Sequence, residues 1–357
     1  MRNLKCNNNS HSNNPQQLAA DIKTWGRELG FAQVGITDVN LKDQAQYFSQ
    51  WLLKKNHGAM EYLMKNQELR YEPALLMSGV KSIIVCRMNY PVSRCDELAG
   101  YGEIAAYAKG RDYHKTMRKK LQLLAKKISQ VVSGCDYRVF CDSAPVLEKA
   151  LAVKAGLGWI GKNSLLINEQ DGSYFFLGEI YLDLSLPVDQ PLVSSCGACR
   201  RCLDVCPTKA LQGDGCMLDA RRCIAYLTIE YKGIIPCDLR PLIGTRIFGC
   251  DACQQVCPWN QIISIDQESI LVFKQRFSAL RLVDLFLWTK EQFLERTAGT
   301  VLRRIGYEGW LRNLAIALGN APVCAEHRVA LQARIDCESE LVREHVCWAC
   351  DRINAGQ

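Results

Sequence analysis

AGLGWIGKN, residues 155–163, carries Gly156, Gly158 and Gly161 in the G-x-G-x-x-G order of a dinucleotide-binding turn. That fingerprint has meaning only where a strand runs into a helix, because the glycines let a pyrophosphate sit on the helix N-terminus. The residues just before it argue against that context. In PVLEKALAVKA, Val146, Leu147, Ala150, Leu151 and Val153 recur at helical spacing, and Pro145 suits a first helical turn. The glycines therefore close a helix, and a Rossmann fold does not follow from them.

On either side of this stretch, from Gln16 to about Asp189, helical segments alternate with short β-rich runs: AQVGI (32–36), SIIVC (82–86), YRVFC (137–141), SLLI (164–167) and FFLGEIYLDL (175–184). The pattern predicts an α/β or α+β domain over 16–190. One of its helices, HKTMRKKLQLLAKKI (114–128), places Met117, Leu121, Leu124 and Ile128 on one face and most of its lysines elsewhere, as a solvated surface helix does. SLPVDQPLVSS (185–195), with Pro187 and Pro191, reads as a linker into a cysteine-dense module over 191–262. Helical segments return over 263–357 in ALRLVDLFLWTKEQFLERT, GYEGWLRNLAIALGNAP and HRVALQARIDCESELVREHVCWACDRIN. They are similar to stacked HEAT-type pairs, although so few copies do not establish a repeat by periodicity.

A chain of 357 residues with 48% hydrophobic and 23% charged residues is an ordinary globular protein of two or three domains. A net charge of +7 permits a polyanionic partner without demanding one. The Asn-rich start (1–15) is expected to be disordered. It lacks the apolar core of a secretory signal, and no later stretch is long enough to span a bilayer, so a cytosolic protein without membrane contact is expected. In that compartment 19 cysteines do not form a disulfide framework; where they cluster, they ligate metal.

The first cluster, Cys196, Cys199, Cys202, Cys206 and Pro207, matches C-x2-C-x2-C-x3-C-P at every position. In this ferredoxin run three thiolates hold irons of one 4Fe-4S cube and the fourth cysteine reaches to the other cube; a tetrahedral zinc site has no use for the spacing. The second run, Cys250, Cys253, Cys257 and Pro258, is one cysteine short. By the crossover rule Cys257 joins Cys196, Cys199 and Cys202, and Cys206 joins Cys250 and Cys253. One ligand is lacking, and spacing does not choose among Cys216, Cys223 and Cys237. Two adjacent clusters make a conduit for single electrons, which points to a redox enzyme or an electron carrier. Cys347 and Cys350 have thioredoxin-like spacing but lie in a helical tail without βαβ context.

Together, CDSAPVLEKALAVKAGLGWIGKNSLLI, GSYFFLGEI, CGACRRCLDVCPTKAL, LDARRCIAYLTIE, FGCDACQQVCPWN and GYEGWLRNLAIALGNA closely resemble the epoxyqueuosine reductases, cobalamin-dependent iron-sulfur enzymes of tRNA queuosine synthesis. The resemblance runs from about Gln16 to Ala321. It implies an α+β architecture of a cobalamin-binding α/β domain, a two-cluster ferredoxin-like domain and a C-terminal HEAT-like repeat. It also implies removal of the epoxide oxygen of epoxyqueuosine at the wobble position, with electrons from an external donor, in a monomer. By motif position Cys223 becomes the remaining cluster ligand. Lys162, Asn163, Leu166 and Leu177 would line the corrinoid pocket, with Arg70 and Asp251 as further cobalamin contacts.

Asp142, in FCDSAP, matches the family's proton donor. An ordinary aspartate is ionised at neutral pH, so this reading expects Asp142 to be partly buried against the corrin with a raised pKa. Without the family match, a helix cap ahead of Pro145 would be the simpler reading. No His lies in the D-x-H-x-x-G setting of cobalamin mutases; His114 comes nearest and is expected to be structural or RNA-facing. For tRNA phosphates the candidates are the basic helix from Lys115 to Lys127, Arg303, Arg304 and Arg312. The nearest alternative is another corrinoid iron-sulfur reductase, such as a reductive dehalogenase, typically exported with a twin-arginine signal that this chain lacks. A plain two-cluster electron carrier, or a nucleic-acid-binding module with structural clusters, would need no corrinoid.

Overall fold

The computed structural model describes residues 14–92, 100–261, 277 and 281–356. Most of the expected disordered start and the expected boundary at 262–263 lie outside them. Among the described residues no helix is long and apolar enough to cross a membrane.

Four of the five β-rich runs form a four-stranded sheet in the order Gln33–Thr37, Ser82–Asn89, Phe175–Leu182, Tyr137–Phe140, with every neighbouring pair antiparallel. The first domain is therefore α+β, without the parallel sheet that alternating helices and strands suggest. Period-two alternation divides its residues between two apolar layers. Ile84, Cys86, Ile180 and Leu182 meet the helices Pro15–Glu28 and Tyr113–Val131 on one side. Ile83, Val85 and Tyr181 meet the helix Glu148–Lys154 on the other. The expected face of the basic helix is the observed one: Met117, Leu121, Leu124 and Ile128 are fully buried.

The helix before the glycines is real but starts at Glu148, three residues beyond Pro145, because the chain from Asp142 is held in a loop described below. It ends at Lys154 with Ala155 as its C-cap, and Gly156 takes the left-handed φ of +71° that a helix-terminating residue adopts. Gly158 meets a different demand: a Cβ there would lie 2.2 Å from the carbonyl oxygen of Ile167. That close approach allows Trp159–Ile160 to pair antiparallel with Leu166–Ile167 as a small hairpin. The stretch read as a phosphate turn is thus a helix stop followed by a tightly packed hairpin.

The proline-containing connection at 185–195 is not free of the domain. Asp189 accepts from the Ile36 N–H at 2.8 Å and pairs with Lys23, which straps it to the sheet edge. Near the C-terminus, the helical reading of 279–297 is broken by a capping box at Thr289 and Gln292 into the helices Leu282–Phe286 and Lys290–Arg296. The helix Gly306–Asn320 is buried from Gly309 to Gly319 on all sides. It carries Trp310 in one core and Ile316 in the core of the cysteine module, so it fastens the helical tail to that module.

Candidate functional site

The cysteine module brings its thiols together in two groups. Burial first, and then the charges of Cys257, Cys196 and Cys199, push the Cys202 thiol up to about 11. Burial, followed by the charges of Cys250, Cys223, Asp251 and Cys202, drives Cys253 well above the ordinary thiol range, and Cys223 also feels Cys206. Like charges this close raise one another's pKa, which marks the sulfurs as neighbours. Of the cysteines that spacing left open, Cys223 caps the helix Ile224–Ile229 inside the second group. Cys216 and Cys237 are exposed, and Cys216 lies against the carbonyls of Ile160 and Gly161. Among the described residues no three His, Cys, Asp or Glu side chains close on a point that would hold a single ion. A cube, in which each thiolate takes a different iron, spreads its ligands more widely than a tetrahedral ion does.

The hairpin connects the first group to a cleft. Trp159 and Ile167 pack with Cys257, Cys196 and Trp259, and the two indoles meet edge-on at 5.2 Å. Leu166, on the same hairpin, lines a cleft of about 170 Å³ whose apolar wall is completed by Leu165, Phe175, Phe176 and Leu177. Asp142, Glu148 and Lys149 supply its charge. Asn163 Nδ2 and Ser164 Oγ, just before Leu165 in the chain, are buried without a hydrogen-bond partner.

Asp142 stands at the cleft with its side chain 41% exposed and its backbone at φ +57°, a left-handed conformation unusual for a non-glycine residue. Its N–H donates to Glu148 Oε1. Oδ2 lies 2.7 Å from His114 Nε2 and 3.3 Å from Arg304 Nη1, while Arg304 Nη2 is 2.9 Å from the same ring nitrogen. Asp112 faces His114 Nδ1 and fixes a proton there. The expected raised pKa of Asp142 is overturned. Burial does push its carboxyl up, but His114 and Arg304 together outweigh that and hold it below the usual carboxylate range. Burial lowers His114, and the carboxylates of Asp142 and Asp112 more than reverse this, so the ring stays protonated more readily than a free histidine. His114 is therefore part of the site. Sequence reading missed it because its partners, Asp142 and Arg304, are 28 and 190 residues away.

The other expected residues divide. Leu166 and Leu177 line the cleft, whereas Asn163 is buried outside its lining, its Oδ1 accepting from the Leu165 N–H at 3.2 Å. Lys162 does not line it: its ammonium donates to the carbonyls of Gly197 at 2.7 Å and Cys199 at 3.1 Å, tying the hairpin to the first cysteine run. Asp251 accepts from the Ala106 N–H at 2.7 Å beside Cys250, and burial raises its carboxyl. Arg70 is half-buried, near enough to feel Glu148. Among the expected phosphate contacts, Lys115, Lys119, Lys126 and Arg303 are exposed. Arg304 is engaged with Asp142 and His114. Arg312 is 1% exposed and donates to the carbonyls of Leu227, Tyr231 and Gly233, so it is an internal brace and no phosphate contact. Its helix is buried all round, which the position of an arginine in sequence does not reveal.

Comparison with known proteins agrees with this geometry. A family model described as a 4Fe-4S double cluster binding domain matches residues 195–260, and one described as epoxyqueuosine reductase QueG, DUF1730, matches residues 70–143. An epoxyqueuosine reductase of Pseudomonas aeruginosa is 52% identical over 344 residues, 95% of each chain. A crystal structure of epoxyqueuosine reductase with an epoxyqueuosine-modified tRNA-Tyr stem loop superposes with a TM-score of 0.85 at 27% identity, covering 95% of this chain and 91% of that one. The Bacillus subtilis enzyme, seen with its catalytic loop swung out of the active site, gives 0.84 at 26% identity over the same shares. At such identity over nearly the whole length, the chain belongs to the epoxyqueuosine reductase family, a family of oxidoreductases, and not to the reductive dehalogenases.

Proposed function

We propose that this chain removes the epoxide oxygen of epoxyqueuosine in tRNA: two electrons and two protons convert the epoxide to the alkene of queuosine and one water. The observation that carries this reading is the hairpin. Its Trp159 and Ile167 abut Cys257 and Cys196, while its Leu166 faces the cleft that holds Asp142. Electrons arriving at the first thiol group and protons held at Asp142 thus meet across one pair of short strands.

Cys196, Cys199, Cys202 and Cys257 would hold the cluster beside the hairpin, and Cys206, Cys223, Cys250 and Cys253 the other, with electrons entering from an external donor. The cleft would receive cobalamin, with Leu166, Leu177 and Phe175 against the macrocycle. When bound, these groups supply low-potential electrons to the strained ring. The protein's own part is the proton. His114 Nε2 and Asp142 Oδ2 hold one between them; as negative charge develops on the departing oxygen, it passes through Asp142 to that oxygen. Arg304, beside both, keeps the remaining carboxylate in place. The solved relative with a tRNA stem loop supports the same partner here, reached through Arg303 and the exposed lysines of Tyr113–Val131. A tRNA substrate suits the cytosol.

Anaerobic titration of the iron-loaded protein with cobalamin tests the cleft. One equivalent should bind, and Leu177→Glu should weaken binding; no binding by the intact chain would remove the corrinoid from the reading.

A further inference from the structure

Behind Asp142 lies a pair of carboxyl groups that the proton transfer just described does not use. Glu179 sits in the middle of the sheet, opposite Val85 on one neighbouring strand and Phe140 on the other, and is completely buried. Neither of its oxygens meets a hydrogen-bond donor. The group facing it is Glu148, whose other partner is the backbone N–H of Asp142. Two buried carboxylates side by side, one of them with no donor at all, are strongly unfavourable. A single proton removes the conflict, because a carboxylic acid is a donor and a carboxylate can then accept from it.

We propose that Glu179 is protonated at neutral pH and donates to the Glu148 carboxylate, and that this acid-carboxylate pair positions Asp142 by holding its backbone N–H. The chain of contacts runs from Glu179 O–H to Glu148, and from the Asp142 N–H to Glu148 Oε1. Its product is the left-handed turn at Asp142, a conformation that a non-glycine residue keeps only when its surroundings fix it. Glu148 and Glu179 are thus positioning residues, acting through Asp142.

The charged and titratable surroundings agree. Burial, and then the charges of Glu148 and Asp142, carry Glu179 well above the carboxylate range. Burial and the Asp142 charge bring Glu148 up to about 7, while the Asp142 N–H and His114 work in the opposite sense and favour its ionised form. From the neighbouring strands, the thiols Cys86 and Cys141 are pushed up by burial and then by these same glutamates, and so add no positive charge to the pair. Tyr181 and Tyr113 are neutral phenols raised in the same way. The cations within reach, Arg70 and Lys149, lie on the side of Glu148, which leaves the proton on Glu179.

The inference rests on Asp142 being the acid only for its kinetic consequence, so two readouts separate the claims. Infrared spectra of the full chain at neutral pH should contain a protonated-carboxyl C=O stretch that Glu179→Gln removes and Asp142→Asn leaves. Turnover of epoxyqueuosine-bearing stem loop should fall about 10²-fold in Glu148→Ala with KM unchanged, as a misplaced acid costs. Glu179→Gln, whose amide can replace the missing donor, should keep turnover within about tenfold of the parent protein. A protonated-carboxyl band untouched by Glu179→Gln, or its absence from the parent protein, overturns the shared proton. Parental kcat in Glu148→Ala overturns the positioning role. Should Glu148→Ala not fold, Glu179→Leu replaces it, with the same loss expected and the same parental rate overturning the claim. Lack of turnover in the parent protein would count against the proposed reaction and leave the infrared result standing.

Discussion

His114 Nε2 stands 2.7 Å from Asp142 Oδ2, although the two residues come from the start of a helix and the end of a strand. A histidine between two carboxylates is a proton store, and here the store opens onto the cleft.

Replacing His114 by Ala should therefore lower kcat about 10²-fold while leaving KM for the tRNA stem loop unchanged. The pH dependence has a definite sign. His114 is raised, so its share of stability is complete below its unfolded pKa and is lost as pH climbs through the folded value. Asp142 is lowered, so its share is present above its unfolded pKa and is lost as pH falls through the folded one. Activity of the parent protein should decline on the alkaline side as His114 loses its proton, and His114→Ala should lack that decline. A pH-rate series on both proteins checks this; an identical alkaline limb in the variant contradicts it.

Cys223 and Cys216 should behave differently when each is changed to Ser. Cys223 stands with Cys206, Cys250 and Cys253, so its loss should reduce reconstituted iron from about eight per chain to about four. Cys216→Ser should keep the full complement. Iron analysis and the absorption of the reconstituted proteins give the answer, and an iron loss in Cys216→Ser would reverse the ligand choice.

Arg312 and Arg303 make a second contrasting pair. Arg312→Ala leaves the carbonyls of Leu227, Tyr231 and Gly233 without their donor and should destabilise the fold by about 3 kcal/mol in denaturant titration. Arg303→Ala, at an exposed position, should leave stability alone and reduce the salt dependence of tRNA binding by about one in slope. Equal effects of the two on binding and stability would contradict the placement of both.

Sequence patterns read well here wherever one segment sufficed. The apolar face of Tyr113–Val131, the strands of the sheet and the ferredoxin spacing are all local, and the period of a helix or the geometry of a cluster writes itself into adjacent residues. What depends on distant segments did not read. Arg312 is buried because its helix is enclosed on every side, and Lys162 is drawn from the cleft by two carbonyls of the cysteine run. The protonation of Asp142 went the same way: burial alone, which a motif suggests, raises a carboxyl, whereas the histidine and arginine that lower it arrive through the fold. The glycines of 155–163 are the mixed case, correctly read as ending a helix, with their close packing against Ile167 visible only in three dimensions.

The most direct test is nucleoside mass spectrometry of epoxyqueuosine-bearing tRNA after anaerobic incubation with the iron-loaded protein, cobalamin and a chemical reductant. Queuosine should replace epoxyqueuosine, should fail to form when cobalamin is omitted, and should fail to form with Asp142→Asn although the tRNA still binds. Unchanged epoxyqueuosine with the intact protein, about eight irons and bound corrinoid in place, would contradict the proposed reaction.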